Sequence, residues 1–470
     1  MLQLRRPEIL LLLLAIAVRL IFHLLTGYLA DDAFITFRYA INFGSGNGFV
    51  YNVGEHVLGT TTPLFAFILT ILSIVRIEPP TGALIVSFLS AGLTTVLIYR
   101  MAQSIRFMRL AYIPALCYIL WPRSIAADCS GMETAFFTFL IAASFYYQRR
   151  HQAVYALGAA TLATLTRPEG LVLLGLLAAY NLYKDKENWL QYLTVPSVIL
   201  LPWIIIAGFY FGSPIPNSLF AKEALYGQIG GMTIWEKASS VVGWNSPLGI
   251  LLIPILVIGA RWLWKKQLFG ALELIWLAAM FAFYIFVPAR LFFWYVAPIY
   301  PVLLLFIGAI FVQAYENALW LGEKRVWASG VLAVIITVVL VSYDYKPITY
   351  FRSAQRTQDV VHREIGEYLF DHAKPDDIVA AEDIGYIGYY SKLRIIDRDG
   401  LVSPEVLPYN RIGEYGKLIA DFKPEWVVAS VGSPISIFIG DDQFLKDYQR
   451  ETFYVSGETE YRVYRRVVPR

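Results

Sequence analysis

Two adjacent carboxylates, Asp31 and Asp32, follow directly after the first apolar segment of the chain. Charged side chains at a membrane interface are costly unless water, a partner or a function accounts for them. If residues 34–41 form a helix, its apolar face predicts that it lies on the membrane surface. The carboxylates then stand at its N-terminus, where the helix dipole favours anions. Simple capping of that helix would explain the pair, and so would a positioned general base.

The loop after this pair is rich in turn-forming residues. It contains five glycines between Gly44 and Gly59 and ends at Pro63. Such a loop is more elaborate than a bare connector between two helices, and functional residues are commonly held on loops of this kind. The loop therefore favours a functional role for Asp31 and Asp32 over simple capping.

The composition indicates the kind of scaffold that positions these residues. The 470 residues are 57% hydrophobic and only 16% charged, whereas soluble proteins are about a quarter charged. This excludes an ordinary soluble enzyme and a disordered protein, and the net charge of +3 excludes a strongly basic or acidic nucleic-acid binder. The two cysteines, Cys117 and Cys129, form neither a disulfide framework nor a metal motif.

The density of charged residues divides the chain into two parts. Residues 344–470 contain 17 Lys or Arg and 21 Asp or Glu, whereas residues 1–343 contain 22 and 15. We therefore predict a polytopic α-helical membrane domain over 1–343, followed by an extracytoplasmic, soluble α/β domain over 344–470. In the second domain, the spacing predicts an amphipathic helix over 356–369. It also predicts four short strands: Ile378–Ala381, Ile384–Tyr389, Leu393–Ile396 and Trp426–Ala429.

Apolar runs of helical length determine the predicted crossings. Twelve such runs lie at about 8–28, 61–76, 81–99, 111–127, 132–147, 153–165, 170–183, 189–210, 247–264, 268–287, 293–313 and 325–343. The positive-inside rule places Arg5 and Arg6 inside and the loops with Glu133, Glu169, Lys222 and Arg290 outside, together with the C-terminal domain. That arrangement requires an odd number of crossings, so we assign 61–76 to the outer interface and predict about eleven transmembrane helices. If the two short runs from 153 to 183 form a re-entrant hairpin, the number is nine.

Several segments resemble one family. The first loop, DDAFITFRYAINFGSGNGFVYNVGEHVLGTTTPL at 31–64, resembles the first extracytoplasmic loop of GT-C superfamily glycosyltransferases, in the branch of arabinofuranosyl- and mannosyltransferase-like proteins. Four further segments resemble the same branch in matching order: SGMETAFF at 130–137, LTRPEG at 165–170, PNSLFAK at 216–222 and RLFFWYVAPIYP at 290–301. A looser resemblance extends to 383–401. The resemblance therefore covers most of the membrane domain and implies a GT-C fold.

The resemblance implies a reaction as well. Family members transfer a sugar from a polyprenyl-phosphate carrier to an acceptor hydroxyl outside the membrane. A hydroxyl is a poor nucleophile, and a carboxylate base contributes about 10²–10⁴ in rate. The phosphate leaves as a stable anion, so basic groups suffice to hold it. Attack opposite the leaving group inverts the anomeric centre. By the family pattern, Asp31 is the base, Asp32 is second and Glu133 is a third catalytic candidate.

Five further residues are candidates for binding substrate: Arg38, Arg167, Glu169, Lys222 and Arg290. Arg38 would brace the carboxylate pair or contact phosphate. Arg167 and Glu169 flank a proline and would pair with each other, or Arg167 would face the active site. Lys222 and Arg290 are the phosphate candidates, although Arg290, which precedes an aromatic run, would also fit a snorkelling residue. Glu133 would bind sugar hydroxyls, assist Asp31, hold a cation or simply be a satisfied loop carboxylate.

The expected partners are a polyprenyl-phosphate-linked sugar donor, a glycan, lipid or protein acceptor, and the lipid bilayer, with no nucleic acid. No cofactor is required by the sequence, and the family leaves open a divalent cation. The alternatives are a polymerase of lipid-linked oligosaccharides and a transporter or flippase of the cell envelope. Transporters place ionisable residues near the bilayer midplane, whereas nine of the fifteen acidic residues in 1–343 fall in predicted outer regions. This distribution favours an outward-facing active site.

Overall fold

The computed structural model describes residues 5–104, 111–229, 232–237, 261, 270–286, 291–317, 348–432 and 434–467. The chain forms two compact units. The first unit comprises Met1–Leu25, Leu84–Pro202 and Met232–Pro347, and the second comprises Thr26–Ala83, Trp203–Gly231 and Ile348–Arg470. Residues 348–470 therefore share a unit with the first loop and with the segment around Lys222, although composition alone sets the C-terminal segment apart.

The first unit is helical. Its helices, some of which extend into the second unit, are Arg6–Thr26, Pro79–Ser104, Tyr112–Leu120, Pro122–Asp128, Thr134–Arg149, Ala153–Thr166, Gly170–Lys184, Trp189–Phe211, Ala271–Phe286, Phe293–Val296 and Tyr300–Asn317, with a 3₁₀ turn over Ala297–Ile299. Within the described residues, four helices are long and apolar enough to cross a membrane: Arg6–Thr26, Pro79–Ser104, Trp189–Phe211 and Phe293–Ile310. The chain is therefore a membrane protein, as its composition predicts.

The number of crossings stays a prediction. The predicted crossings at 247–264 and 325–343 lie almost entirely outside the described residues. The helix Pro63–Ile74 has 12 residues, about 18 Å at 1.5 Å per residue, which is shorter than a hydrocarbon core of about 30 Å. This length suits the interfacial assignment of 61–76.

Charged side chains inside the first unit are paired, because a buried charge without a partner is costly. Arg19 is fully buried and its Nε lies 3.0 Å from Asp128 Oδ2. The same guanidinium donates to the carbonyl oxygens of Ile119 (2.9 Å) and Tyr118 (3.3 Å). These bonds tie the first long helix to the Tyr112–Leu120 and Pro122–Asp128 helices.

The second unit combines helices with a sheet. Its helices are Asp31–Gly44, Pro63–Ile74, Asn217–Ile229, Ile348–Thr357, Glu364–His372, Ile384–Ser391, Leu407–Ile412, Tyr415–Phe422 and Asp442–Asp447, with a π-helical turn over Gln358–Arg363 and 3₁₀ turns over Pro404–Val406 and Pro434–Gly440. The strands are β1 (Ile378–Ala381), β2 (Arg394–Asp397), β3 (Trp426–Ser430), β4 (Tyr448–Ser456) and β5 (Thr459–Arg466), in the order β2-β1-β3-β5-β4. Strands β2, β1 and β3 are parallel, and β5 runs antiparallel to β3 and β4.

The strand predictions at β1, β2 and β3 are confirmed, whereas the strand predicted for Ile384–Tyr389 is wrong. These residues begin the helix Ile384–Ser391, here named the capped helix. The helix predicted near residues 34–41 exists as Asp31–Gly44, here named the first-loop helix. It does not lie on a membrane surface, because every residue from Ala33 to Ala40 is buried.

The first loop and the C-terminal segment share a hydrophobic core. Ile35, Tyr39 and Tyr51 belong to the same buried cluster as Val379 of β1 and Ile395 of β2. Polar bonds reinforce this core: the Asn52 side-chain amide donates to the carbonyl oxygen of Ile395 (2.9 Å), and the Ile395 N–H donates back to Asn52 Oδ1 (3.0 Å). The first loop is thereby fixed along the edge strand β2.

Candidate active site

Two glycines let the capped helix approach the first-loop helix closely. A Cβ added at Gly385 would overlap the backbone oxygen of Asp31 and lie 2.6 Å from its carbonyl carbon. A Cβ added at Gly388 would overlap the Tyr51 hydroxyl and lie 2.7 Å from Arg38 Nη1. Residues three apart share one face of a helix, so the glycines make a flat face against which the first-loop helix packs.

Because the two helices lie so close together, the Asp31 carboxylate reaches the N-terminus of the capped helix and caps it. Its Oδ2 accepts a hydrogen bond from the N–H of Gly385 and its Oδ1 accepts one from the N–H of Tyr386, both at 2.9 Å. The first N–H groups of a helix have no partner within the helix, and a carboxylate there also benefits from the helix dipole. Both oxygens of Asp31 are therefore engaged, and only 14% of its side chain is exposed.

Asp32 has a different environment. Its side chain is exposed, but the surrounding protein reduces its solvation and raises its pKa to about 6. The positive charge of Lys222 lowers the pKa in part, and the negative charges of Asp31, Asp383 and Asp399 raise it further. A carboxylate that substrate can reach, and whose pKa lies near neutral pH, has the properties of a general base.

The other groups around Asp32 come from the C-terminal segment and from the Asn217–Ile229 helix. Asp383 follows β1 and Asp399 follows β2, and the carboxyl ends of neighbouring parallel strands lie at the same edge of a sheet, where α/β folds commonly bind ligands. Lys222 is half-buried. Its helix is held at Asn217, whose side-chain amide donates to the carbonyl oxygens of Gly400 (2.6 Å) and Leu401 (3.1 Å).

Asp397 organises the loop that carries Asp399. Its carboxylate is fully buried and accepts hydrogen bonds from the N–H groups of Asp399 (2.9 Å), Leu401 (2.5 Å) and Val402 (3.1 Å). Burial and the nearby charge of Asp399 raise the pKa of Asp397 to about 7 although these bonds oppose the shift. The loop geometry thus depends on the Asp397 carboxyl group, which was not among the site residues that the sequence predicted.

Arg38 holds backbone rather than the carboxylate pair. Its Nη1 donates to the carbonyl oxygen of Gly388 (2.8 Å) and its Nη2 donates to that of Leu393 (2.6 Å), and its guanidinium lies 4.2 Å from the centre of the Tyr51 ring. Only 6% of the residue is exposed. These contacts hold the Arg38 guanidinium against backbone at the C-terminal end of the capped helix, and its substrate-binding role stays a prediction.

Three residues of this region were not among the site residues that the sequence predicted: His362, Asp383 and Tyr461. His362 is buried, with Nδ1 3.7 Å from Asp31 Oδ1 and Nε2 3.8 Å from Asp383 Oδ2. The Tyr461 hydroxyl donates to Asp383. The sequence does indicate that His362 is buried, because it lies three residues before Ile365 on the buried side of the predicted 356–369 helix.

Glu133, Arg167 and Glu169 form a buried ion cluster in the first unit. Arg167 Nη2 lies 2.8 Å from Glu169 Oε1, and Arg167 Nη1 lies 3.3 Å from Glu133 Oε1. The guanidinium also lies 4.8 Å from the centre of the Tyr295 ring. The predicted pairing of Arg167 with Glu169 is present, and Glu133 joins it. The three side chains together carry one more negative than positive charge.

Two questions about ligands stay open to experiment. Arg290, the second phosphate candidate, lies outside the described residues. Among the residues that the structure does describe, no group of three or more His, Cys, Asp or Glu side chains is placed to hold a metal ion. The divalent cation that the family leaves open therefore remains an expectation.

Comparisons with known proteins concern the whole chain and its C-terminal segment. Residues 348–464 match a family model described as Domain of unknown function (DUF8728). Two crystal structures of ArnT from Cupriavidus metallidurans are similar to the chain at 15% sequence identity, each covering 97% of both chains. The TM-score is 0.57 for the structure bound to undecaprenyl phosphate and 0.59 for the apo structure. None of the curated proteins matches the chain significantly.

At 15% identity this likeness shows the fold. The chain has an ArnT-like fold of apolar helices with a C-terminal sheet domain, as the sequence predicts. Function has to be argued from the site, because one fold can serve unrelated reactions.

Proposed function

We propose that the chain is a membrane glycosyltransferase that moves a hexosyl or pentosyl group from a polyprenyl-phosphate carrier to an acceptor hydroxyl on the extracytoplasmic side. The observation that carries the proposal is the environment of Asp32: an exposed carboxylate with a pKa of about 6, close to Lys222. The fold supports it, because ArnT, which the chain resembles along 97% of its length, has been crystallised with undecaprenyl phosphate.

Asp32 is the proposed base. The acceptor hydroxyl gives its proton to the Asp32 carboxylate while its oxygen attacks the anomeric carbon of the sugar. The bond between that carbon and the phosphate oxygen breaks, and the polyprenyl phosphate leaves as an anion. The ammonium group of Lys222 supplies positive charge for that anion. Attack from the side opposite the phosphate inverts the anomeric centre.

We assign the base to Asp32 rather than Asp31 because the two carboxylates are engaged differently. Both Asp31 oxygens already accept hydrogen bonds from backbone N–H groups, and only 14% of the side chain is exposed, so Asp31 is less accessible to an acceptor hydroxyl than the exposed Asp32. Asp31 thus positions its neighbour by fixing the first turn of the first-loop helix against the capped helix. Arg38 does the same from the other end of the capped helix.

The remaining candidates have roles that follow from their partners. Arg167, which contacts two carboxylates, serves as the counter-charge of Glu133 and Glu169 rather than as a phosphate ligand. Glu133 places a second carboxylate beside Arg167, which suits a contact with sugar hydroxyls or a cation. Arg290 is retained as a second phosphate ligand on its sequence context alone.

The matched substitutions Asp31→Asn and Asp32→Asn test the assignment. The full-length protein in nanodiscs is given synthetic undecaprenyl-phosphoryl mannose or arabinofuranose, with a glycolipid extract from a strain that lacks the gene as acceptor. We expect wild type to release undecaprenyl phosphate. D32N should lose about 10²–10⁴ in rate with an unchanged Tm, whereas D31N should lower the Tm because an amide nitrogen then faces a backbone N–H.

The opposite result would contradict the assignment. If D31N kept the wild-type Tm and lost all transfer while D32N remained active, Asp31 would be the base. If neither donor were consumed with any glycolipid, and a wider set of carrier-linked sugars also failed, the chain would not be a transferase of this class.

Cysteine labelling tests the sidedness of the proposal. In a variant without Cys117 and Cys129, single cysteines at Ile77 and Ser104 are exposed to a membrane-impermeant maleimide in intact cells. The proposed topology requires labelling at 77 and protection at 104. Labelling at 104 would refute the interfacial placement of 61–76.

A further inference from the structure

His362 occupies an unusual position in the C-terminal segment. It lies in a six-residue π-helical turn, Gln358–Arg363, between the Ile348–Thr357 and Glu364–His372 helices. Such turns are rare and occur frequently at functional sites. Only 5% of the residue is exposed, so its ring must find its partners within the protein.

The ring lies between two carboxylates. Its Nδ1 is 2.7 Å from Gln358 Oε1 and 3.7 Å from Asp31 Oδ1. Its Nε2 is 3.8 Å from Asp383 Oδ2 and has no hydrogen-bond partner among the described residues. The Tyr461 ring meets the imidazole edge-on at 5.0 Å between ring centres.

These contacts favour the doubly protonated ring. The amide oxygen of Gln358 accepts from Nδ1–H, so a neutral ring would present the lone pair of Nε2 to a carboxylate. Protonation of Nε2 replaces that repulsion with attraction. Burial lowers the pKa of His362, but the charges of Asp383 and Asp31 outweigh it and the pKa is raised above the ordinary value of 6.5.

The titratable groups closest to the His362 ring come from several elements. Asp31 comes from the first-loop helix, Asp383 from the loop after β1 and the uncharged Tyr461 hydroxyl from β5. On its own element, Asp359 accepts a hydrogen bond from Gln355 and the neighbouring Arg363 is paired with Glu367 at 2.8 Å. The two carboxylates at 3.7 and 3.8 Å are therefore the charges that act directly on the imidazole.

We propose that His362 is a positioning residue of the transfer reaction, whose imidazolium holds Asp31 and Asp383 together at the N-terminus of the capped helix. The proposal rests on the proposed function, with Asp32 as the base. Without the positive charge, two carboxylates would repel each other beside the helix end that Asp31 caps. Asp32 is the next residue in the chain after Asp31, so a displacement of Asp31 also displaces Asp32, the proposed base. The C-terminal segment thereby supplies part of the catalytic arrangement.

The proposal has a consequence for the pH dependence of transfer. The rate rises as Asp32 loses its proton near pH 6, and it falls again when His362 loses its proton at a pH above 6.5. His362→Gln keeps a polar side chain of similar size but has no proton to lose in this range. The alkaline decline should therefore disappear in H362Q, and the rate at pH 7 should fall at least tenfold.

His372 provides a matched control. It lies ten residues further along, is exposed, and donates from Nδ1–H to the carbonyl oxygen of Tyr368 at 2.8 Å. H372Q should keep the wild-type rate and both limbs of the pH profile. His362→Lys, which keeps a positive charge, should recover part of the rate that H362Q loses. An H362Q profile that retains the alkaline limb would overturn the proposal.

A measurement that needs no activity separates this proposal from the proposed function. The full-length protein is labelled with ¹⁵N-histidine in nanodiscs, and the His362 resonance is assigned as the one missing in H362Q. We expect it to titrate above pH 6.5 and to shift downward by about 1–3 pH units in Asp383→Asn, with His372 unchanged. A resonance that is unaffected by D383N would refute the ion cluster. If the shift occurs but wild type transfers no sugar, the proposed function fails and the role of His362 in catalysis fails with it.

Discussion

Gly385→Ala should break the contact that holds Asp31 in place. The added Cβ would lie 2.6 Å from the carbonyl carbon of Asp31 and 2.7 Å from its Cγ. An ordinary contact needs about 3.4 Å, so the two helices must separate by roughly 0.8 Å or more, because the obstructing atoms are backbone and a short side chain that cannot turn aside. The hydrogen bonds to Gly385 and Tyr386, now 2.9 Å, would then lengthen and weaken.

The cost follows from these two effects. Overpacking of a close contact costs about 1–3 kcal/mol, and each hydrogen bond to a charged group contributes about 1.5–3 kcal/mol. Because the shift weakens the bonds without removing them, we expect a loss of about 3 kcal/mol in unfolding free energy. Thermal unfolding of the full-length protein in nanodiscs should show a Tm lower by several degrees, and transfer should fall because Asp32 moves with Asp31.

Gly208→Ala is the matched control. Gly208 lies within the Trp189–Phe211 helix, and a Cβ there would meet nothing within 4 Å. Alanine favours a helix over glycine by about 1 kcal/mol, so G208A should be as stable as wild type or slightly more stable. If G385A instead matched G208A in Tm and in activity, the close packing of the capped helix on the first-loop helix would be refuted.

Three further outcomes are expected. The transfer rate should fall as the pH drops through about 6, because protonation of Asp32 removes the base; a rate that is constant from pH 5 to 7 would contradict this. Arg38→Met should lower unfolding free energy by about 3 kcal/mol, because two buried carbonyl oxygens lose charged donors, and unchanged chemical denaturation would argue against it. Arg167→Gln, which removes the buried guanidinium that contacts both Glu133 and Glu169, should destabilise by about 3–5 kcal/mol. Glu133→Gln keeps the contact between Arg167 and Glu169 and should lower the Tm less, so equal effects of the two would refute this role of Arg167.

The carboxylate pair illustrates how far sequence reasoning reached. Capping and catalysis were alternative explanations of Asp31 and Asp32, and the structure divides them between the two residues. The capping carboxylate does not serve the helix that follows it. It serves the capped helix, which begins more than 350 residues later, and no local pattern can show a hydrogen bond of that separation.

The strand predicted for Ile384–Tyr389 is wrong for the same reason: the contacts that decide its structure come from residues far away in the sequence. Its short apolar run with two glycines predicts a strand, because local spacing distinguishes poorly between a buried strand and one buried helical face. The helix is favoured instead by partners from the first loop: Asp31 at its N-terminus, Tyr51 at the carbonyl oxygen of Ile384 (2.6 Å) and Arg38 at that of Gly388 (2.8 Å). Strands β4 and β5 were missed because their pairing depends on each other.

Composition and apolar periodicity by themselves determined that the chain is a helical membrane protein with a sheet domain at its C-terminus, because hydrophobic length and charge density are properties of the sequence. The resemblance of several short segments identified the fold. Tertiary structure alone decided which carboxylate is exposed, why Arg38 is buried, and that His362 lies between two acidic groups. Those properties depend on side chains brought together from distant parts of the chain, where burial and neighbouring charge set the chemistry of each group.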